Sequence, residues 1–135
     1  MQKYKILEHT GDVKIKAYGK TKGELFENAM VAMMAVLHPK YEIRNLESRS
    51  IKIKSQDTNA LLVDFLNEVN YLRQVHTEMY GGVEFKKFSD TEIEATLEGY
   101  RVEEFGEDVK AVTFHELDIQ QNSQGLWETM IVFDV

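Results

Sequence analysis

The chain contains no cysteine and only one proline among its 135 residues. Without thiols, it has no disulfide bonds, thiolate metal ligands or cysteine nucleophiles. One proline and eight glycines provide little material for a linker, and no apolar run approaches the roughly 20 residues that span a membrane. The first residues show no apolar signal segment. We therefore expect residues 1–135 to form a single domain located in the cytoplasm.

Positive charge is also scarce, with 16 basic residues against 23 acidic ones and a formal net charge of −7. A protein that holds RNA by itself needs a basic patch, because neutralising phosphates supplies much of the affinity. We therefore expect no stable direct binding of nucleic acid. An acidic surface suits a basic protein partner or bound cations, although such acidity also keeps many small proteins soluble.

Hydrophobic spacing predicts two helices. The first begins at Thr21, whose hydroxyl forms a capping box with Glu24, and its apolar residues run at helical spacing as far as Leu37. The second follows candidate N-caps at residues 57–59, and its apolar stripe runs from Leu61 to Leu72. The methionines of the first stripe favour core packing over an adaptable partner groove.

Alternating apolar and polar residues predict seven strands, which lie at residues 4–8, 13–18, 49–54, 83–88, 92–98, 110–119 and 127–135. The predicted order is β-β-α-β-α-β-β-β-β. Because each helix must cover an apolar surface, we predict a two-layer α+β fold, with two helices packed on a mostly antiparallel sheet.

No familiar catalytic signature is present. The sequence lacks a glycine-rich phosphate loop, a G-x-S-x-G motif and an H-E-x-x-H motif. The four histidines are at positions 9, 38, 76 and 115, too far apart in sequence to form a close metal-ligand pair. Isolated histidines of this kind are more often surface or structural residues.

Two acidic positions stand out. Asp12 lies beside His9 and Gly11 between two predicted strands, where it could also merely cap the loop through its own backbone. Asp134 interrupts an apolar strand, and the α-carboxylate of Val135 follows directly. Strands disfavour aspartate, and a buried carboxylate is costly unless it is paired or binds a cation. Crowded carboxylates suggest a hard divalent cation, but whether Asp12 lies near Asp134 stays open.

Four segments resemble the archease family. Residues 4–13 (YKILEHTGDV) resemble its opening, usually HTADVGI, and residues 61–68 (LLVDFLNE) resemble its LLVDWLNE motif. Residues 110–115 (KAVTFH) resemble KAVTYH, and residues 132–135 (VFDV) resemble the family ending. The four segments occur in the family's order and span essentially the whole chain.

The resemblance implies a small protein built around a strand-helix-strand-strand module. It implies a chaperone-like activator, rather than an enzyme, whose partner is the tRNA-splicing RNA ligase RtcB. Such an activator promotes guanylylation of the ligase by GTP and its multiple turnover in tRNA splicing and RNA repair. The resemblance also implies a site for Ca²⁺, Mn²⁺ or Mg²⁺ at Asp12, Asp134 and the carboxylate of Val135. It further assigns contacts with the partner or its nucleotide to three residues, Lys110, His9 and His115.

Some positions depart from the family pattern. Gly11 replaces the usual alanine and makes the loop looser. Lys14 replaces the usual glycine and, if it shares a face with Asp12, offsets the charge of the site. Phe65 replaces tryptophan, and Phe114 replaces tyrosine and so lacks a hydroxyl.

Two alternative functions stay open. One is a stand-alone hydrolase that depends on a divalent metal, with His9 or His115 as candidate base. The other is a metal-free protein-interaction module in which the acids are structural.

Overall fold

The computed structural model describes residues 1–8 and 11–135. The elements in chain order are β1 (Tyr4–Glu8), β2 (Asp12–Gly19), α1 (Lys22–Leu37), β3 (Pro39–Lys54), α2 (Thr58–His76), β4 (Glu78–Phe88), β5 (Glu92–Phe105), β6 (Ala111–Thr113), β7 (Gln120–Gln121) and β8 (Trp127–Asp134). Within the described ranges, no helix combines the length and the apolarity needed to cross a membrane.

The strands form two antiparallel sheets. The main sheet has the order β1-β2-β8-β6, with β7 also paired to β8, and the small sheet has the order β3-β5-β4. The prediction of two helices packed on antiparallel strands is confirmed, although the strands divide between two sheets. The predicted strand over residues 110–119 is wrong beyond Thr113. There the chain turns, and the N–H of Leu117 donates to the carbonyl of Phe114 at 3.1 Å.

Both helices begin at side-chain caps, as their sequences predict. The Thr21 hydroxyl accepts from the Glu24 N–H at 3.1 Å, and the Glu24 carboxylate accepts from the Lys20 N–H at 3.2 Å. Asp57 caps α2 through the N–H of Ala60 at 2.8 Å. These bonds satisfy N–H groups that a helix leaves unpaired at its start.

The helices join the two sheets through a shared core. Helix α1 contacts β2 of the main sheet and β4 of the small one, and α2 contacts β6, β3 and β4. The predicted stripe of α1 is fully or almost fully buried, which confirms core packing: Leu25, Phe26, Ala29, Met30, Met33, Met34 and Leu37. The largest buried side chains include Tyr80, Phe26, Phe65 and Phe133.

The main sheet has one face against this core and one facing away from it. On β2, Ile15 and Ala17 are buried in the core. Lys14 and Lys16 alternate with them along the strand and therefore lie on the opposite side. We call that side the outer face. Strand β8 lies inside the main sheet, between β2 and β6, as its apolar sequence predicts. Each residue of β2 is paired with a residue of β8, so side chains of both strands are neighbours on the outer face.

Candidate functional site

Asp12 and Asp134 lie directly opposite each other where β2 begins and β8 ends. On the other side of β8, Ala111 pairs with Asp134, and the backbone N–H of Lys110 donates to the Asp134 carbonyl at 2.7 Å. Directly opposed residues have Cβ atoms about 4.5–5.5 Å apart and share a face. The structure therefore brings together the two carboxylates whose proximity the sequence left open.

Both carboxylates are exposed to solvent. The prediction of a buried carboxylate at Asp134 is wrong, because burial stops at Phe133 and Asp134 is the last residue of its strand. Desolvation therefore does not require a partner for it. Like charges directly across two strands still destabilise the pair, and among residues 1–8 and 11–135 neither carboxylate forms an ion pair. A cation between them would remove this repulsion.

The donor set fits a hard divalent cation that keeps several waters. Two side-chain carboxylates meet there, and Val135, which is 38% exposed, brings its α-carboxylate directly after Asp134. Oxygen donors of this kind suit Ca²⁺, Mn²⁺ and Mg²⁺. In the described part of the chain, no group of three or more His, Cys, Asp or Glu side chains is placed to hold a metal ion. Within the described residues, further oxygen donors are available from the α-carboxylate of Val135 and from the backbone, whereas His9 lies outside those residues.

Lys14 lies two residues along β2 from Asp12. Because side chains alternate between the faces of a strand, both lie on the outer face, as the sequence indicated. Its ammonium does not stand alone, because Nζ lies 2.5 Å from Oε2 of Glu116. The Lys14 side chain is 19% exposed. Its charge is thus engaged by a carboxylate that the sequence analysis did not single out, since Glu116 follows a strand and carries no motif.

Side chains of α2 hold the segment that lies beside Asp134. Asn67 pairs with the backbone of Val112, accepting from its N–H at 3.0 Å and donating to its carbonyl at 3.3 Å. Asn70 donates to the carbonyl of Val109 at 2.9 Å. Because β6 is an edge strand, these bonds satisfy backbone groups that would otherwise lack partners.

Further along α2, Arg73 fixes the start of this segment at Asp108 and Val109. The guanidinium of Arg73, which is 4% exposed, donates to Asp108 at 2.7 Å and to the carbonyl of Val109 at 3.1 Å. That hydrogen bond lowers the pKa of Asp108. The sequence did not predict Asn67 and Arg73 as positioning residues. Asn67 lies in the family-like segment 61–68, whereas for Arg73 the signal was a polar residue beside an apolar stripe.

The predicted contact residues are placed as follows. Lys110 is exposed, and its backbone adjoins Asp134. His115 is exposed in the turn after β6, next to Phe114, which is 59% exposed. His9 lies outside the described residues. Gly11 has φ of +86°, a left-handed conformation in which the alanine usual in the family would be strained.

A cavity of about 500 Å³ lies at the opposite end of the same two strands. Lys20, Lys22, Phe88 and Trp127 are among its lining residues. Trp127 pairs with Gly19 at the end of β2 that is seven residues from Asp12, a separation of about 23 Å along the strand. The carboxylate pair therefore lies on an open surface rather than in this cavity.

Comparisons with known proteins agree with this fold. The model of the archease protein family matches residues 4–135. The protein archease of Methanosarcina barkeri is 33% identical, over 99% of this chain and 97% of that protein. The chain belongs to the archease family. The archease of Pyrococcus abyssi is 28% identical over the full length of both proteins.

Two solved structures show the same fold. The solution structure of protein 1598 from Methanobacterium thermoautotrophicum has a TM-score of 0.70 and 28% identity, covering all of both chains. The crystal structure of an archease from Thermotoga maritima, described as a possible chaperone, has a TM-score of 0.70. It covers 97% of this chain and 96% of that one at 20% identity, so it shows the fold alone.

Proposed function

We propose that this archease-family chain is a metal-binding activator of an RtcB-type RNA ligase in the cytoplasm, and not an enzyme itself. In this role it promotes guanylylation of the ligase by GTP and multiple turnover in tRNA splicing and RNA repair. The observation that carries the proposal is the register of Asp12 against Asp134 on the outer face. Membership of the archease family supports it.

In the proposal, Asp12, Asp134 and the α-carboxylate of Val135 hold the cation. The cation supplies positive charge and Lewis acidity at an otherwise acidic surface. The carboxylates remain accessible because both are exposed on an open part of the sheet. A partner can therefore approach them without the fold opening.

The surroundings of the carboxylates supply the contacts to the partner. Lys110 adjoins Asp134 through a backbone hydrogen bond, and its exposed ammonium is available to an anionic group of the ligase or its nucleotide. His115 and the exposed ring of Phe114 follow on the same segment. A net charge of −7 favours association with a basic partner surface.

The test combines the chain, at substoichiometric amounts, with the RtcB ligase of the same organism, GTP, Mn²⁺ and an RNA with ligatable ends. We expect the wild type to accelerate ligase guanylylation and to support many turnovers. Asp134→Asn should lose both this effect and Mn²⁺ binding, measured by calorimetry, at an unchanged melting temperature. Asp64→Asn is the matched control, because Asp64 is exposed on α2, bonds to Ser55, and carries the same charge.

Each outcome bears on a separate part of the proposal. Full activation by Asp134→Asn would refute the role of the cation site. Activation by a wild type that binds no divalent cation would favour the metal-free interaction module. No acceleration by a folded wild type would refute the ligase-activating role. Phosphoester hydrolysis by the purified chain, lost on Asp12→Ala, would instead support the hydrolase.

A further inference from the structure

Lys14 lies within reach of two sets of carboxylates. It belongs to a cross-strand row on the main sheet, in which Leu7 lies on one side and Val132 on the other. The next row along the sheet is formed by Asp12 and Asp134, about 7 Å away, since two residues of a strand span that distance. Lysine carries its charge on a flexible four-carbon stem. The ammonium of Lys14 can therefore reach the carboxylates of Asp12 and Asp134 as alternative ion-pair partners.

Glu116 engages that ammonium from a turn whose next two residues are anchored. Its own backbone has φ of +59°, a left-handed conformation that non-glycine residues rarely adopt. The next residue, Leu117, is 9% exposed and packs in the core. The N–H of Asp118 donates to the Thr129 hydroxyl at 3.0 Å. The fold thus presents the Glu116 carboxylate over the outer face, 2.5 Å from Nζ of Lys14.

We propose that Glu116 holds the ammonium of Lys14 away from Asp12 and Asp134, and so keeps this pair available to a divalent cation. The inference rests on the proposed cation site. Without Glu116, Asp12 and Asp134 are the carboxylates that the described neighbouring rows of the outer face offer to Lys14. A lysine ammonium seated there neutralises the charge that would bind the cation and occupies its position.

The test measures Mn²⁺ affinity by isothermal titration calorimetry for four proteins: wild type, Glu116→Gln, Lys14→Met and the double variant. Glu116→Gln should weaken Mn²⁺ binding by roughly tenfold, as expected for a unit charge moved next to a divalent ion at a solvated surface. Lys14→Met should bind at least as tightly as the wild type. In the Lys14→Met background, Glu116→Gln should change the affinity by less than about twofold.

A second ion pair on the same face is the matched control. Lys16 is paired with Glu128 at 2.7 Å, and it lies four residues along β2 from Asp12, about 13 Å away. Glu128→Gln removes the same charge and releases a lysine of the same strand. It should leave Mn²⁺ affinity within about twofold of the wild type, because Lys16 is more than one Debye length from the site.

The outcomes separate this inference from the proposed function. Wild-type affinity in Glu116→Gln would overturn the inference and leave the cation site standing. The same loss with and without Lys14 would also overturn it, since Glu116 would then act only through its own charge. If neither the wild type nor Lys14→Met binds Mn²⁺, both this inference and the proposed cation site are overturned. Glu116→Ala serves as a second variant, and thermal unfolding of each protein checks that it is folded.

Discussion

Replacing Asn67 by alanine tests how the edge strand β6 is held beside Asp134. The Asn67 amide makes two hydrogen bonds, of 3.0 and 3.3 Å, with the backbone of Val112. Val112 is only 4% exposed, so water does not readily replace those bonds. At about 1 kcal/mol for each bond, the variant should destabilise the closed state of β6 by about 2 kcal/mol.

The effect should reach the candidate site through Lys110. Its backbone N–H donates to the Asp134 carbonyl at 2.7 Å and is protected from exchange only while β6 stays on β8. A loss of about 2 kcal/mol corresponds to a roughly thirtyfold larger equilibrium constant for opening. We therefore expect the Lys110 amide to exchange with deuterium about thirtyfold faster in Asn67→Ala, measured by NMR under conditions that report opening equilibria.

The control is Tyr71→Ala, one turn further along α2, where the side chain is 57% exposed. It should leave exchange at Lys110 within about twofold, as for most surface substitutions. Faster exchange at Val112 with unchanged exchange at Lys110 would refute the reasoning. It would show that Asn67 satisfies one edge residue without holding the strand against Asp134.

Three further predictions concern the small sheet. Glu78 is 1% exposed and accepts two hydrogen bonds from Arg49 and one from Tyr80. Glu78→Ala should therefore lower the free energy of unfolding, measured in urea, by about 3–5 kcal/mol. A loss below about 1 kcal/mol would contradict this. The hydrogen bonds from Arg49 hold the pKa of Glu78 in the folded protein below its ordinary value of 4.5. The stabilisation by ionised Glu78 is therefore fully present above pH 4.5 and is lost as the pH falls through the lower pKa of the folded protein. Glu78→Gln should accordingly flatten the loss of stability below pH 4.5. A Cβ on Gly99 would lie 1.9 Å from a carbonyl oxygen of β4, whereas one on Gly82 meets no atom within 4 Å. Gly99→Ala should therefore lose at least about 3 kcal/mol or fail to fold, and an equal loss in Gly82→Ala would contradict the clash.

The helices were predictable because their signals are local. The capping box at Thr21 and the stripe that ends at Leu37 lie within a few turns of one another, and the structure contains both. The strand predicted over residues 110–119 failed where Leu117 folds back toward Phe114. Apolar residues of a turn that pack into the core imitate strand alternation.

The sequence singled out Asp12 and Asp134, but it did not show how they are arranged. Asp12 and Asp134 were found as residues, but their register depends on pairing between distant segments, which no local pattern encodes. The exposure of Asp134 was missed because its apolar neighbours indicate burial, although the strand end projects beyond them. The partnership of Lys14 with Glu116 depends on a turn from another element, and therefore had no sequence signal.

The central position of β8 in the main sheet has a consequence for synthesis. Strands β2 and β6 both pair with β8, yet β2 leaves the ribosome early and β8 follows all the other strands. The main sheet therefore cannot close before β8 has been synthesised, and until then β2 and β6 each have an unpaired edge. The two carboxylates become neighbours only once β8 pairs with β2. A nascent chain that still lacks β8 therefore has no candidate cation site.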